Sequence, residues 1–418
     1  MNCKISEAKS NYKLLGDYIT KVNLRNKDLK TTNLKGLSMT KEFRESTSNI
    51  IGVDLSKYKL VPKNHFACDF MSVIRVHKLP VVHQNSDELI IVSPAYTVFK
   101  VIDENILNPE YLMMWFRRPE FDRYADFRCD SAIRGGFKWD ELGEVELPIP
   151  SIEKQHEIVK EYNTVANRIT LNETINKKLE DTAQALYKHW FVDFEFPNEQ
   201  GKPYKSNGGK MVFNEELDLE IPLGWEIESF TDVLNLKGGG TPSTKNLDYW
   251  GGEIPFFTPK DVNTSYYSSI TEKYITISGL ENCSSKLYPK NTIFITARGT
   301  VGAVSIASCN MAMNQSCYAV VEDLNINYCY AHQLTLETLK SLINQASGAI
   351  FKALVTKDFN EFFLAKPPKN TLNEYKKIAE PIYNILLNKS KQIDELSKLK
   401  NLLLSKMSKV AIEKETVC

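Results

Sequence analysis

Leu147-Pro148-Ile149-Pro150-Ser151-Ile152-Glu153-Lys154-Gln155-His156-Glu157-Ile158-Val159 marks a change of period in the chain. Prolines disfavour a helix interior, so Pro148 and Pro150 read as its lead-in. Beyond them Ile158, Tyr162, Val165 and Ile169 step by 4, 3 and 4. After one register break Ile175, Leu179, Thr182 and Leu186 repeat those steps. Such steps lay one stripe along a helix, with Lys and Glu on its outer face. A helix of about 40 residues spans roughly 60 Å. One domain of ordinary size cannot cover such a stripe, so a second long helix is required.

The chain supplies one. Leu147 and Pro150 recur 217 residues later as Leu364 and Pro367. A stripe follows through Tyr375, Ile378, Ile382 and Ile385, then Ile393, Leu396, Leu403 and Met407. Thr371-Leu372-Asn373-Glu374 can close a capping box at its start, and Pro381 is expected to kink or restart the helix. Other stretches echo one another in the same order. Leu15-Gly16-Asp17-Tyr18-Ile19 matches Phe230-Thr231-Asp232-Val233-Leu234. Met71-Ser72-Val73-Ile74-Arg75 matches Phe294-Ile295-Thr296-Ala297-Arg298, both read as strand-like runs ending in arginine. Asn108 and Tyr111 match Asn325 and Tyr328. The chain is therefore written twice, each copy a mixed α/β domain followed by a long helix. Turn signals at Gly238-Gly239-Gly240-Thr241-Pro242, Trp250-Gly251-Gly252 and Thr258-Pro259-Lys260-Asp261 separate β-type runs at Thr292–Thr296 and Ser316–Val321. Glu88–Val101 is the comparable run of the first copy.

The expected architecture is mixed α+β: two similar globular domains joined by two long antiparallel coiled-coil helices, with a pseudo-two-fold internal repeat. The boundaries fall at 1–147 for the first domain, 148–196 for the central helix, 197–220 for a linker, 221–364 for the second domain and 365–413 for the last helix. Pro197, Gly201, Pro203, Gly208 and Gly209 mark the linker, which lets the second copy fold back.

Composition narrows the class. The 418 residues are 42% hydrophobic and carry 52 basic and 52 acidic side chains, suiting packed globular domains. Charge is segregated: 13–63 holds eleven Lys/Arg against five Asp/Glu, whereas 140–220 holds nine against seventeen. A local basic face can meet phosphates while the acidic middle meets protein. No apolar run is long enough to span a membrane and no secretory leader core is visible, so a cytoplasmic setting is expected. None of the eight cysteines forms a Cys-x-x-Cys pair. Cys309 and Cys317 read as buried free thiols. The histidines lack metal-ligand spacing, Gly208-Gly209-Lys210 fails as a phosphate loop, and no amino-methylation motif is present. The chain is expected to be no enzyme and to hold no metal.

Several motifs resemble those of the specificity subunits of Type I restriction–modification systems. They are the lead-in at Leu147–Val159, Ala183–Phe194 at the end of a central region, and Ile221-Pro222-Leu223-Gly224-Trp225-Glu226. Gly239–Ser243, Tyr249–Gly252, Thr258–Asp261 and Asn314-Gln315 are similar to further landmarks. The resemblance covers essentially the whole chain. The first domain lacks the glycine–threonine–proline loop, and Pro367–Thr371 lacks the Glu-x-x-Gln helix start.

The resemblance implies a non-catalytic subunit with two target-recognition domains. Each would read half of a bipartite asymmetric site on double-stranded DNA, with the helices setting the gap. The implied partners are two modification (methyltransferase) subunits and, further, restriction translocase subunits. S-adenosylmethionine is then expected on the methyltransferase partner and no cofactor on this chain. The rival readings are a coiled-coil scaffold and a stand-alone methyltransferase or nuclease.

Candidate contacts follow from residue chemistry. Lys237, with Ser243, Thr244 and Lys245 on the glycine-rich loop, can approach phosphate; the alternative is a plain turn between strands. Arg75 and Arg298 can grip a guanine edge or a phosphate, or make structural ion pairs. Lys260 and Asp261, and the amides of Asn314 and Gln315, are further candidates. Arg25, Lys27, Lys30 and Lys35 suit backbone contact. Tyr249, Trp250, Phe256 and Phe257 read as core.

Overall fold

The computed structural model describes residues 12–47, 52–130, 137–262, 265–321, 326–345 and 353–409. In chain order the first copy comprises β1 (Tyr12–Leu14), β2 (Ile19–Val22), β3 (Lys35–Leu37), β4 (Phe43–Glu45), β5 (Lys59–Val61), β6 (His65–Cys68), α1 (Val73–Val76), β7 (Val81–His83), β8 (Ile90–Val92) and β9 (Thr97–Val101). It continues with α2 (Pro109–Phe116), α3 (Pro119–Asp130), α4 (Trp139–Gly143), β10 (Glu146–Pro148) and the long α5 (Ile152–Tyr187). A hairpin, β11 (Met211–Asn214) and β12 (Leu219–Pro222), precedes the second copy. That copy holds β13 (Glu226–Ser229), α6 (Phe230–Val233), β14 (Asn235–Gly238), β15 (Trp250–Phe257), β16 (Tyr267–Ser268), β17 (Lys273–Ile275), α7 (Ile277–Glu281), β18 (Ile293–Thr296), β19 (Val304–Ala307), β20 (Ala312–Met313) and β21 (Cys317–Val321). It ends with α8 (Tyr328–Gln345), α9 (Thr356–Asn360), β22 (Phe363–Lys366) and α10 (Lys369–Lys406).

The repeat is visible in the pairing. The first copy's main sheet runs β2-β9-β6-β7, and the second copy's runs β14-β21-β18-β19-β16. In each, one antiparallel pair joins the start of the domain to the strand preceding the long helix: β1 with β10, and β13 with β22. Matching by register puts Phe66-Ala67-Cys68 opposite the role of Phe294-Ile295-Thr296. Met71–Arg75 is therefore not the counterpart of Phe294–Arg298, and Arg75 lies on the short helix α1 rather than at a strand end. The asparagine match shifts too. Asn108 caps α2 by accepting from the backbone N–H groups of Glu110 and Tyr111, at 2.8 and 3.1 Å. In the second copy Asn327 accepts from the Tyr330 N–H at 2.9 Å, while Asn325 lies outside the described residues.

The chain divides into two compact units, each holding pieces of both long helices. One contains the described residues up to Asn167 together with those from Leu396; the other is Arg168–Glu395. In the first unit Phe66 stacks on Phe99 at 4.9 Å and both meet Phe116 edge-on. Leu404 and Met407 from the end of the last helix join this core beside Val159 and Tyr162. In the second unit Tyr375, Ala379, Tyr383 and Leu386 of α10 pack with Ala183, Tyr187, Tyr330 and Phe230. There Asn172 donates to Gln392 at 3.3 Å and Asn176 to Ser390 at 3.4 Å. One helix's numbers rise as the other's fall, so the two pieces run antiparallel.

The stripe differs from the apolar reading. Its buried line is Gln155, Val159, Tyr162, Ile169, Asn172, Asn176, Glu180, Ala183 and Tyr187, with no register break. Thr182 is exposed, and on α10 so are Ile378 and Ile385. The apparent break arose because polar residues occupy the centre of the seam there. Buried asparagines cost stability but fix register. The helix starts differ likewise. The Ser151 hydroxyl accepts from the Lys154 N–H at 3.4 Å at the start of α5. α10 already begins at Lys369, so Thr371 lies inside it and closes no capping box, and Pro381 is carried within one helix.

The stretch leading into the segment read as a linker has structure of its own. Trp190, Phe191, Phe194 and Phe196 form an aromatic cluster with Trp225 and Tyr375, and Phe196 stacks between Tyr204 and Trp225 at 4.6 and 5.4 Å. Cys317 is buried, its thiol pushed up to about 12 by burial, whereas Cys309 is exposed.

His332 lies fully buried in the second unit. Its Nδ1 is 2.8 Å from the Tyr383 hydroxyl, which accepts from Gln333 at 2.9 Å, and its Nε2 has no partner among the described residues. Burial lowers its pKa to about 3. The folded state therefore refuses a proton that the unfolded chain accepts near 6.5. Its stabilising contribution is complete above that pH and is lost as pH falls toward the folded value. Between pH 6.5 and 5 the loss is about 2 kcal/mol. Buried Glu180 and half-buried Glu337, each raised by burial, act in the opposite sense. Denaturant melts of wild type and His332→Gln at both pH values separate these terms, and the variant should lose less stability on acidification. Parallel curves would show that His332 is protonated in the fold.

Candidate nucleic-acid interface

In the second domain the sheet brings distant loops to one end. The C-terminal ends of β14 and β18 flank the N-terminal end of β21, with Gly238 opposite Tyr318 and Thr296 opposite Cys317. The turn Asn314–Ser316 lies at the centre. Ser316 O accepts from Ala297 N at 2.8 Å and Arg298 N at 3.3 Å. Met313 O accepts from Gly240 N at 3.1 Å, and Asn314 N donates to Phe257 O at 3.0 Å. Four segments therefore meet there: the glycine loop after β14, the Thr258–Asp261 turn after β15, the Arg298–Gly302 loop after β18, and the 314–316 turn.

The glycines explain how the loop fits. A Cβ on Gly239 would stand 2.1 Å from Asn314 O, and one on Gly240 2.3 Å from Ser284 Oγ. The Thr241 hydroxyl, absent from the sequence-derived set, donates to the Gln315 side chain across the gap. Trp250 Nε1 donates to Ser243 O at 3.1 Å, pinning the loop's far side. Only Gly-Gly-Thr-Pro in the sequence signals these contacts.

Lys237, Ser243, Thr244, Lys245, Lys260, Arg298 and Gln315 are exposed at or beside this end. Lys260 has Glu272 at 3.8 Å as its one ion-pair partner among the described residues. Asn314 is half-buried, its side-chain oxygen accepting from Ser316 N at 3.0 Å. Asp261 differs from the expectation of a base contact. It is 7% exposed, and its carboxylate accepts from the N–H and hydroxyl of Thr258, both at 2.7 Å, and from Glu272 N at 2.7 Å. Burial and three internal donors commit it to holding the turn. Phe256 and Phe257 are core, while Tyr249 and Trp250 are half-buried.

The first domain repeats the sheet end with other loops. The C-terminal ends of β2 and β6 flank the start of β9, with Val22 opposite Val98 and Cys68 opposite Thr97. Arg25, Lys27 and Lys30 follow β2, and Arg75, exposed and 3.3 Å from the Ser72 hydroxyl, follows β6. Lys30 lies 3.9 Å from Asp28. Lys35 lies on β3 and its ammonium is neutralised by Glu45, so it offers less free charge than expected. No cluster of metal-ligating side chains occurs among the described residues.

Residues 222–398 match the model of the Type I restriction modification DNA specificity domain. The chain is 26% identical over 313 residues to the Type I restriction enzyme MjaIX specificity subunit of Methanocaldococcus jannaschii, covering 73% of this chain and 70% of the relative. It is 26% identical over 366 residues to the HindI specificity subunit of Haemophilus influenzae, covering 74% and 79%. In fold it is similar to the crystal structure of a Type I restriction–modification S subunit from M. genitalium, with TM-score 0.53, 14% identity and 95% of each chain covered. Residues 222–398 thus match the Type I specificity domain, and over about three quarters of its length the chain is similar to Type I restriction enzyme specificity subunits.

Proposed function

We propose that this chain is the non-catalytic subunit that reads DNA sequence for a Type I restriction–modification complex. Each domain reads one half of a bipartite, asymmetric site. The observation that carries the reading is the convergence of four loops, which expose Lys245, Lys260, Arg298 and Gln315, at one sheet end of the region matched by the specificity-domain model. Phosphate contacts there would position the duplex, and amide and guanidinium groups would read base edges. The two domains carry different loops on the same sheet, so their half-sites differ.

The chain assembles with methyltransferase and restriction subunits. We place two methyltransferase subunits on the long helices, which set the gap between half-sites, with S-adenosylmethionine bound by those partners and none by this chain. The complex works in the cytoplasm; no helix among the described residues is long and apolar enough to cross a membrane.

The test is co-expression with the methyltransferase subunit, followed by base-resolution mapping of methylated DNA. The expected result is a two-part motif with a fixed gap, lost when this chain is omitted. A well-formed complex that leaves DNA unmethylated and unbound would falsify the reading.

A further inference from the structure

Several cations of the first domain have a carboxylate at hand. Lys35 has Glu45, Lys41 has Asp122 and Lys63 has Asp87. Arg25 and Lys59 are placed against each other instead, in an antiparallel bridge, and like charges directly opposite across strands oppose pairing. Neither has a carboxylate within ion-pair distance among the described residues. Both are instead tied to backbone carbonyls: Arg25 Nη1 donates to Lys57 O at 2.5 Å, and Lys59 Nζ donates to Tyr96 O at 2.5 Å. A carbonyl fixes the direction of a cation without cancelling its charge. Lys21 is near enough to add to the repulsion, and burial with Arg25 and Lys21 lowers the Lys59 pKa. Lys21 itself has no ion pair among the described residues and lies 5.1 Å over the Trp139 ring.

The site is thus oriented, positively charged and partly desolvated, with donor hydrogens to spare on both side chains. Its place follows from the fold. Arg25 comes just after β2, and Tyr96 just before β9, at the sheet end equivalent to the loop cluster of the second domain.

We propose that Arg25 and Lys59 together form a clamp for one or two phosphodiester groups of the DNA backbone, fixing how the duplex enters the first domain. Lys59 was not among the residues singled out from sequence. The proposal rests on the reading of this chain as a DNA-recognition subunit. The clamp contributes affinity without sequence preference, because a phosphate carries no base identity.

The experiment uses the full chain in complex with its methyltransferase subunits. Binding to a duplex carrying the mapped motif and to a random-sequence duplex is titrated across a salt series. Arg25→Ala and Lys59→Met are compared with wild type, with Lys63→Ala as a control cation that already has a partner. Each clamp variant is expected to weaken both duplexes by a similar factor. Each should also reduce the slope of log K against log salt by about 0.9 per lost contact. The methylated motif stays the same, and Lys63→Ala stays close to wild type. Lys59→Arg keeps the slope. Thermal melting supplies the second readout. Lys59→Met relieves the like-charge pair and should melt no lower than wild type, whereas a purely structural lysine would melt lower when replaced.

An unchanged slope in both variants, or an altered motif, overturns the clamp. Wild type that binds neither duplex overturns the underlying reading instead, so the two failures are distinct.

Discussion

Gly239→Ala is expected to disable recognition by the second domain while leaving the sheet beneath it folded. The new methyl would sit 2.1 Å from Asn314 O and 2.7 Å from Met313 O, both backbone atoms. No rotamer change relieves such a contact, so either the glycine loop or the turn carrying Asn314 and Gln315 must shift. Overpacking of this kind costs about 1–3 kcal/mol, which a domain with so large a core survives. Function is more exposed than stability, since a displacement of about 1 Å in a positioning contact lowers activity on the order of 10²-fold. Gly238→Ala is the matched control, because a Cβ there meets nothing within 4 Å. Base-resolution methylation mapping with both variants should show loss for Gly239→Ala and a normal motif for Gly238→Ala. Normal methylation in both would mean that the loop does not face DNA.

Trp190→Ala should be the most destabilising single change in the second unit. Trp190 is 3% exposed and meets Tyr375 edge-on at 5.6 Å. Its neighbour Phe191 meets Tyr330 and Tyr375 at 4.8 and 4.9 Å. Truncating a buried tryptophan costs about 3–5 kcal/mol through lost contacts and a cavity. For a unit of this size that corresponds to a fall in Tm of about 10 °C or more. The cluster also holds Phe194, Phe196 and Trp225, so protease cleavage between 197 and 220 should accelerate in parallel. Differential scanning calorimetry and limited trypsin digestion provide the two measurements. An unshifted transition would mean that α10 and the aromatic segment are held by other contacts.

Much of the architecture was legible because its signals are local and repeated. Proline lead-ins mark where both long helices begin, and the β-type runs at Thr292–Thr296 and Ser316–Val321 contain β18 and β21. What misled the reading was chemistry that sequence does not display. The seam of α5 is partly Asn172, Asn176 and Glu180, so following apolar residues drifted onto its flank at Thr182, while on α10 the buried line runs through Tyr375, Ala379, Tyr383 and Leu386 and leaves Ile378 and Ile385 exposed. The arginine match at Arg75 and Arg298 paired a helix with a strand end, because a short apolar run has no period to tell them apart. The second domain's loop cluster could be found because Gly239 and Gly240 announce a close approach. The first domain has no such loop, and Lys59 is one lysine among many until its strand partner is known. Asp261 carried the chemistry of a contact residue, and only its burial shows that its hydrogen bonds are spent inside the turn.

The division of each long helix between the two units sets an order on biosynthesis. The second unit draws its residues from Arg168–Glu395, a single uninterrupted segment. The first unit's globular part is translated before the second unit, yet its core includes Leu404 and Met407. Its last pieces therefore leave the ribosome only after the whole second unit. Until then Val159 and Tyr162 lack the neighbours that cover them, and the nascent chain carries an unfinished first unit for more than two hundred codons. Of the two units, the one begun earlier is the one completed later, and for that interval its core stays open for a chaperone to cover.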